Sequence, residues 1–427
     1  GLSFRGIQDT NISLYASISG ESGLSIKYTP NFSRSQKVTI SELPIGKDYL
    51  ELLARLRENG ILLQSATIDN EKIKIKYINT ISNNELAVAD AIKDKLDEQN
   101  FEVISLTSQN GAYDNLEVLY SSGSRNILKQ EDSTYNFNPR VPYPEFFYNY
   151  GIGNKNHIGS PAGFVFSEFN FQNSVAIKFN KNIEFQALHT YPLWDNYEGL
   201  GYNPGYTNLE PVRIEIQKYL REGQKGFEYF QMNYFENIGK NFFSLSFGDL
   251  EQMFGGINFQ YLYRQPNSFF NFGFDISRVA RREFNKSLFN YKKYHVTSAH
   301  LNMYFYEPKF EIQGKISYGR YLAKDRGFTF ELARKLANGL KYGAFFSLTN
   351  LDQYQFGEGS FDKGVFVVIP LDIFEKKRKG YFTNTYRPLT RDGASKIVTN
   401  VDIYEATNFS SKYNFRKWSQ SCTYLNK

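Results

Sequence analysis

The chain has 427 residues, an aromatic fraction of 17% supplied almost wholly by 39 Phe and 32 Tyr, a net charge of +6 and a mean hydropathy of −0.49. No apolar run reaches the roughly 18 residues of a helical membrane span, which excludes a helical membrane protein but not a β-barrel, whose strands hide hydrophobicity by alternating it. One cysteine, Cys422, excludes an internal disulfide, and Lys and Arg spread along the chain argue against a nucleic-acid surface.

The N-terminus, Gly1-Leu2-Ser3-Phe4-Arg5, has no charged region followed by an apolar core, as expected where a signal peptide has been removed or the chain is a fragment. Within 1–45, the alternating segments 11–19 and 23–29 flank Gly20-Glu21-Ser22 and predict a β-hairpin. A lone hairpin is marginal in water, so 1–45 is expected to end a larger β-structure.

Residues 46–123 change texture. Tyr49, Leu50, Leu53, Leu56 and Ile61 have helical spacing and precede strands at 64–68 and 73–78. The pattern recurs with Leu86, Val88, Ala89, Ala91, Ile92 and Leu96, then strands at 101–107 and 115–120. Arg57-Glu58-Asn59-Gly60-Ile61 aligns with Asp97-Glu98-Gln99-Asn100-Phe101, which predicts a tandem α-β-β repeat forming one small α+β domain. Residues 124–160, rich in Asn, Pro and Tyr, read as an extended connector.

From 161 to 400 period-two alternation persists. Ile257, Phe259, Tyr261 and Tyr263 oppose Asn258, Gln260 and Arg264; Phe270, Phe272, Phe274 and Ile276 oppose Asn271, Gly273, Asp275 and Ser277. Ala299, Leu301, Met303 and Phe305 oppose Ser298, His300 and Asn302, and Ile312, Ile316 and Tyr318 oppose Gln313, Lys315 and Ser317. Tyr342, Ala344, Phe346 and Leu348 repeat the arrangement. About 12 to 14 such strands fit, many near the length of a tilted membrane strand. A soluble sandwich alternates too, with its apolar face inward. Strand length, the series of hairpins, the aromatics near strand ends and the small polar residues opposite them favour a mostly β fold: an antiparallel transmembrane β-barrel beside the small α+β domain. Residues 401–427 read as a C-terminal tail.

A family resemblance rests on ordered stretches: Leu250-Glu251-Gln252-Met253-Phe254-Gly255-Gly256, Leu262-Tyr263-Arg264, Gly319-Arg320-Tyr321-Leu322-Ala323, and Ala337-Asn338-Gly339 with Gly343-Ala344-Phe345. Then come Phe356-Gly357-Glu358-Gly359-Ser360-Phe361-Asp362-Lys363-Gly364, with Ile369-Pro370-Leu371, and Tyr386-Arg387-Pro388-Leu389-Thr390-Arg391-Asp392-Gly393. In order and spacing these resemble the YjbH/GfcD family of outer-membrane exopolysaccharide and capsule biosynthesis proteins. The resemblance implies the outer membrane of a Gram-negative bacterium, a periplasmic α-β-β domain, and a segment at 1–45 that ends a truncated N-terminal barrel portion. It implies as partners a polysaccharide chain, outer-membrane lipid or lipopolysaccharide and other exopolysaccharide secretion proteins, with no nucleic acid. No cofactor, metal or catalytic residue is implied, and the expectation is a non-enzyme.

His157, His189, His295 and His300 do not make a metal site, since five residues of strand put His295 and His300 on opposite faces. The turn from Gly357 to Gly364 lacks the Lys-Ser/Thr pair of a phosphate loop and the Gly-x-Ser-x-Gly elbow of a nucleophile, so it reads as a tight turn. Arg278, Arg281, Arg282, Arg320, Arg387 and Arg391, with Arg326, gather near strand ends and are candidate contacts to glycan or lipopolysaccharide anions, against ordinary interfacial charge. Tyr304 and Tyr306, on the polar-facing side, are candidates to stack on sugar rings. Glu251, Glu358 and Asp362 are the carboxylates available for glycosidic chemistry, with nothing to favour hydrolysis. The readings left open are a barrel for glycan export, a docking barrel for secretion partners, a barrel enzyme acting on lipid or polysaccharide, and a soluble β-rich binding protein.

Overall fold

The computed structural model describes residues 2–7, 10–16, 22–28, 49–68, 72–82, 85–97, 101–110, 113–121, 124–128, 143–160, 163–200, 209–265, 268–307, 309–336, 339–352, 361–370, 381–386 and 392–407. Three sheets form. The first is antiparallel and three-stranded, β1 (Leu2–Ile7), β2 (Thr10–Ala16) and β3 (Ser22–Tyr28); it contains the expected hairpin and one strand before it.

Two α-β-β units follow as the spacing predicts. They are α1 (Tyr49–Glu58), β4 (Ile61–Ile68) and β5 (Lys72–Asn79), then α2 (Glu85–Asp97), β6 (Val103–Asn110) and β7 (Tyr113–Ser121). With β8 (Ser124–Leu128) they share one sheet of order β4-β5-β6-β7-β8. Only β5 and β6 pair in parallel, as the crossover through α2 requires. α1 stops at Gly60, whose φ of +74° suits glycine and closes the helix on the carbonyls of Leu56 and Arg57. Leu86, Ala89, Ile92 and Leu96 stripe one side of α2 and meet Ile73, Ile75, Tyr77, Ile104 and Leu106 in a single buried core. Lys72, Lys74 and Lys76 alternate with those residues along β5 and stay accessible.

The third sheet is an antiparallel meander of thirteen strands in chain order. Its strands are β9 (Glu145–Ser160), β10 (Gly163–Lys178), β11 (Ile183–Asp195), β12 (Gly226–Ile238), β13 (Asn241–Asp249), β14 (Phe254–Tyr263) and β15 (Phe270–Arg282). They continue with β16 (Tyr291–Glu307), β17 (Ile312–Arg320), β18 (Arg326–Lys335), β19 (Lys341–Thr349), β20 (Asp362–Pro370) and β21 (Tyr381–Tyr386). β9 and β21 form the two edges and do not pair with each other among the described residues, so the sheet is not closed into a barrel. The region 124–160, expected as a connector, instead supplies β8 to the small sheet and β9 to the large one. The apolar row of β9, Phe146, Tyr148, Tyr150 and Ile152, gives way to Asn154 and Asn156, and Phe147 stands on the opposite face, which hides its period.

The meander is strongly curled. β14 and β19 are five strands apart, about 24 Å across a flat sheet. Yet Arg264, just after β14, donates to the Tyr404 carbonyl at 2.8 Å, while Lys341 in β19 reaches Glu405 at 3.1 Å. One short segment therefore touches both, from the concave side. Connections differ between the two ends. Where β9 begins, the turns 179–182, 239–240 and 308–311 are short, and Tyr113 of β7 packs edge-on against Phe235 and Phe242 while donating to the Phe243 carbonyl at 2.8 Å. The other end carries the long connection 196–225, with a 3-10 turn (Tyr197–Gly199) and α3 (Ile216–Glu222).

Period two assigns the faces. Outward lie Leu245, Phe247, Ile257, Phe270, Phe272, Phe274, Ile276, Leu301, Tyr318, Phe328, Leu332, Tyr342, Phe346 and Leu348, all exposed. Inward lie Asn233, Ser244, Ser246, Asn258, Gln260, Asn271, Ser277, Ser298, His300, Asn302, Gln313, Ser317 and Ser347, all buried.

Candidate functional site

The concave interior is the site the fold builds. Its walls are cross-strand polar pairs, the ladder that period two creates when one face is polar throughout. Ser246 donates to Asn233 at 2.7 Å, Asn258 to Ser277 at 2.8 Å, and Ser317 to Asn302 at 2.7 Å. Asn302 in turn donates to Asp275 at 2.8 Å, and His300 Nδ1 lies 3.1 Å from the same carboxylate. Tyr321, Thr329 and Ser347 extend the chain of hydroxyls, 2.7 Å apart at each step.

Residues 392–407 run through this interior from end to end. At the long-connection end Asp392 accepts the N–H groups of Val212, Arg213 and Ile214 at 2.7–3.0 Å, and Ala394 donates to Asp325 at 2.8 Å. Midway, Asn400 donates to Gln231 at 3.2 Å, and Gln260 bridges the Val401 carbonyl and the Ile403 N–H. At the short-turn end Asp402 caps the single-turn helix α4 (Ile403–Ala406) by accepting from Tyr404 and Glu405. There Tyr404 stacks on Tyr304 with centroids 3.8 Å apart and planes 6° from parallel, and the Arg264 guanidinium lies 4.2 Å from the centroid of the Tyr404 ring. A polar cavity of about 90 Å³ remains beside the segment, lined in part by Asp275, Tyr304, Lys315, Lys396 and Asp402.

Charge concentrates at the long-connection end. Arg282, fully buried, faces Asp249 at 3.3 Å and donates to the carbonyls of Phe227, Glu228, Glu251 and Lys286. Glu228 is held between Lys155 and Lys286, and Glu251 pairs with Arg213 at 2.7 Å. Burial lowers the Lys286 ammonium to about 8, with Lys155 adding to the fall and Glu228 opposing it. Burial likewise raises the Glu251 carboxyl against the pull of Arg213. Asp325 and Asp392 are also raised, burial being the main cause for both.

The candidates named from sequence separate accordingly. Arg281 and Arg282 belong to the interior: Arg281 pairs with Glu215 at 2.9 Å and donates to the Pro211 carbonyl, so neither guanidinium is presented to a surface anion. Arg278 is exposed on the outward face, donating to Thr297 at 2.9 Å, and Arg320 ends β17 partly open. Arg387 and Arg391 lie outside the described residues, as do Gly357, Glu358, Gly359 and Ser360; of that turn, Phe361, Asp362, Lys363 and Gly364 are seen, with Asp362 buried where β20 begins. Tyr304 and Tyr306 face inward as read. His300 faces inward and His295 outward, and no cluster of three metal-ligating side chains occurs among the described residues. The interior segment was missed because the boundary at 400 cut it in two. The one local signal was Asp402 ahead of Ile403-Tyr404-Glu405, a helix N-cap.

These features define a β-sheet protein with a polar, occupied interior and an apolar exterior. The chain belongs to the YjbH family, described as "Exopolysaccharide biosynthesis protein YbjH", whose model matches residues 95–408. A curated relative, "Uncharacterized lipoprotein YjbH" of Escherichia coli (strain K12), is 30% identical over 267 residues, which is 61% of this chain and 38% of the relative. The chain thus spans well under half the length of that relative. A solved structure, "Salmonella typhi OmpF complex with Daunomycin", aligns over 57% of this chain and 98% of the porin at 10% identity, with a TM-score of 0.29, too distant to bear on the fold.

Proposed function

We propose that this chain is the outer-membrane barrel part of an exopolysaccharide biosynthesis and export system, that its α-β-β domain stands in the periplasm, and that its polar lumen handles glycan without catalysing a reaction. One observation carries the reading: the large sheet turns its apolar residues outward and open and its polar residues inward and covered. Side chains of this size offer about 150–250 Å² each. Some two dozen left about half open sum to on the order of 2000 Å², several times the largest apolar patch of an ordinary soluble monomer. Lipid is the solvent such a face suits, and Tyr and Phe near strand ends suit its interfaces. The longest connection, 196–225, lies at the end away from the small domain, as the longer loops of such barrels lie away from the periplasm. Family membership supplies the glycan context.

Membrane fractionation tests the barrel. The protein should resist alkaline washing, need detergent for extraction and migrate differently in gels before and after heating. Release into buffer without detergent would sink the reading. A docking role has its own support in Tyr113, which fixes the small domain to the rim of the sheet. Deleting residues 46–123 separates the two: loss of surface polysaccharide with a barrel that still inserts favours docking.

A further inference from the structure

We infer that residues 392–407 are a displaceable plug lying in the track that glycan takes, and that the track, once vacated, selects an acidic polysaccharide. This rests on the lumen reading above and adds its occupant, its selectivity and its gate.

Occlusion comes first. The segment spans the interior from Val212 at one end to Arg264 and Lys341 at the other, and the cavity beside it, about 90 Å³, holds a handful of waters and no chain of pyranose rings. Displaceability follows from the kind of contact. Between its ends the segment forms no strand pairing with the sheet among the described residues; side chains hold its middle, Arg213 on the Lys396 carbonyl, Glu251 on the Val398 N–H, Gln231 on Asn400 and Gln260 on Val401 and Ile403, and only Val401, Ile403, Tyr404 and Ala406 pack against the apolar patch of Phe235, Phe242, Leu262 and Tyr304. Each such bond contributes little net, because water or a sugar hydroxyl can replace the partner.

The contacts also have the form of glycan recognition. Tyr304 presents a flat ring on which Tyr404 is stacked, and Gln260, Asn258, Asn302 and Arg264 offer amide and guanidinium groups around it. A pyranose ring with its hydroxyls would use the same groups in the same way. Selectivity follows from charge. Near the short-turn end the walls contribute Arg264, Lys315, Lys335 and Lys341 as cations and Asp275 and Glu331 as anions. The segment adds Asp402 and Glu405 as anions and Lys396 as a cation, and Glu405 pairs with Lys341 at 3.1 Å. When the segment leaves, four cations face two carboxylates, and the anionic groups that took part in closing the track must come from the glycan.

Planar-bilayer conductance of the full chain, inserted and heat-modifiable, tests this. The probes are oligogalacturonate as acidic glycan and maltohexaose as neutral glycan. Wild type should be nearly closed, and oligogalacturonate should raise its open time at least tenfold while maltohexaose does not. Tyr404→Ala with Glu405→Gln should conduct at least tenfold more without any glycan. Because plug variants risk misfolding, a second variant joins Asn400→Cys to Gln231→Cys in a Cys422→Ser background with a reducible bis-thiosulfonate linker. It should stay closed with oligogalacturonate present and open once reduced. The inference is overturned by a tethered channel that conducts freely, by equal conductance of wild type and the double variant, or by equal response to both glycans. Failure to insert at all would strike the barrel reading instead, so the two failures are distinguishable.

Discussion

The small and large sheets obey the same period and bury opposite faces. In β5, Ile73, Ile75 and Tyr77 are covered and the lysines between them are half-buried on the other face; in β15, Phe272, Phe274 and Ile276 are open and Asn271 and Ser277 are covered. Alternation fixes where a strand runs and which residues share a face, but the covering decides which face is the inside. In the small domain the cover is α2, whose apolar stripe demands an apolar partner. In the large sheet the cover is residues 392–407, whose backbone and polar side chains demand donors and acceptors.

Placing a charge on the apolar face of each sheet should break the two in different ways. Ile75→Lys puts an unpaired ammonium into a fully buried core, a cost of several kcal/mol. It should unfold the α-β-β domain, seen as lost amide protection in β5 and β6, while the meander persists. Phe272→Lys should leave the detergent-solubilised fold intact and cost about 2–4 kcal/mol in lipid, measured by urea-dependent folding into vesicles. Equal damage by Phe272→Lys in detergent and in lipid would mean that this face is not lipid-facing.

The interior is tested where polar groups are most committed. Arg282→Ala removes a guanidinium bonded to four carbonyls and leaves Asp249 buried without it, so a loss of about 3–5 kcal/mol is expected in the same folding assay. Asn302→Leu is milder. It strands Asp275 Oδ2 and Ser317 Oγ, which should cost about 1–3 kcal/mol. If Asn302→Leu stabilises the protein, the interior is an apolar core in disguise and the comparison between the sheets collapses.

How much of this was legible is uneven, for physical reasons. The two α-β-β units, β14 to β17 and β19 were readable because each residue's environment follows from neighbours two to four positions away. β9 was not, because its apolar row gives way to Asn154 and Asn156 and Phe147 lies on the opposite face. The burial of Arg281 and Arg282 was not, because their partners Glu215, Asp249 and Glu228 come from elements 30 or more positions distant in sequence. Two arginines ending a strand look the same whether they meet solvent or a buried carboxylate. The track was half legible: Tyr304, Asn258 and Gln260 were read as facing a polar interior, but only the fold brings residues 392–407 against them.

The smallest expected effect lies where the interior segment is anchored at the long-connection end. Burial raises the Asp325 carboxyl, and the charge of Asp392 raises it further; burial raises Asp392 too, with Glu215 adding to the rise and the three N–H groups of Val212, Arg213 and Ile214 opposing it. The other charges nearby are already engaged, Arg213 by Glu251 and Arg281 by Glu215. A carboxyl raised in the folded state binds its proton more tightly there than in the unfolded chain. Its stabilising contribution is therefore complete below the unfolded value of about 3.9 and is lost as pH climbs through the folded value. The anchor should loosen from acid towards neutral pH, visible as falling protection of the Ala394 and Val212 amides after correction for intrinsic exchange. Asp325→Asn with Asp392→Asn should flatten that dependence while the amides of Ile104 and Leu106 in the small sheet show no change. Protection that instead rises with pH would mean that the three N–H groups outweigh burial, and that this end holds the segment most firmly when Asp392 is charged.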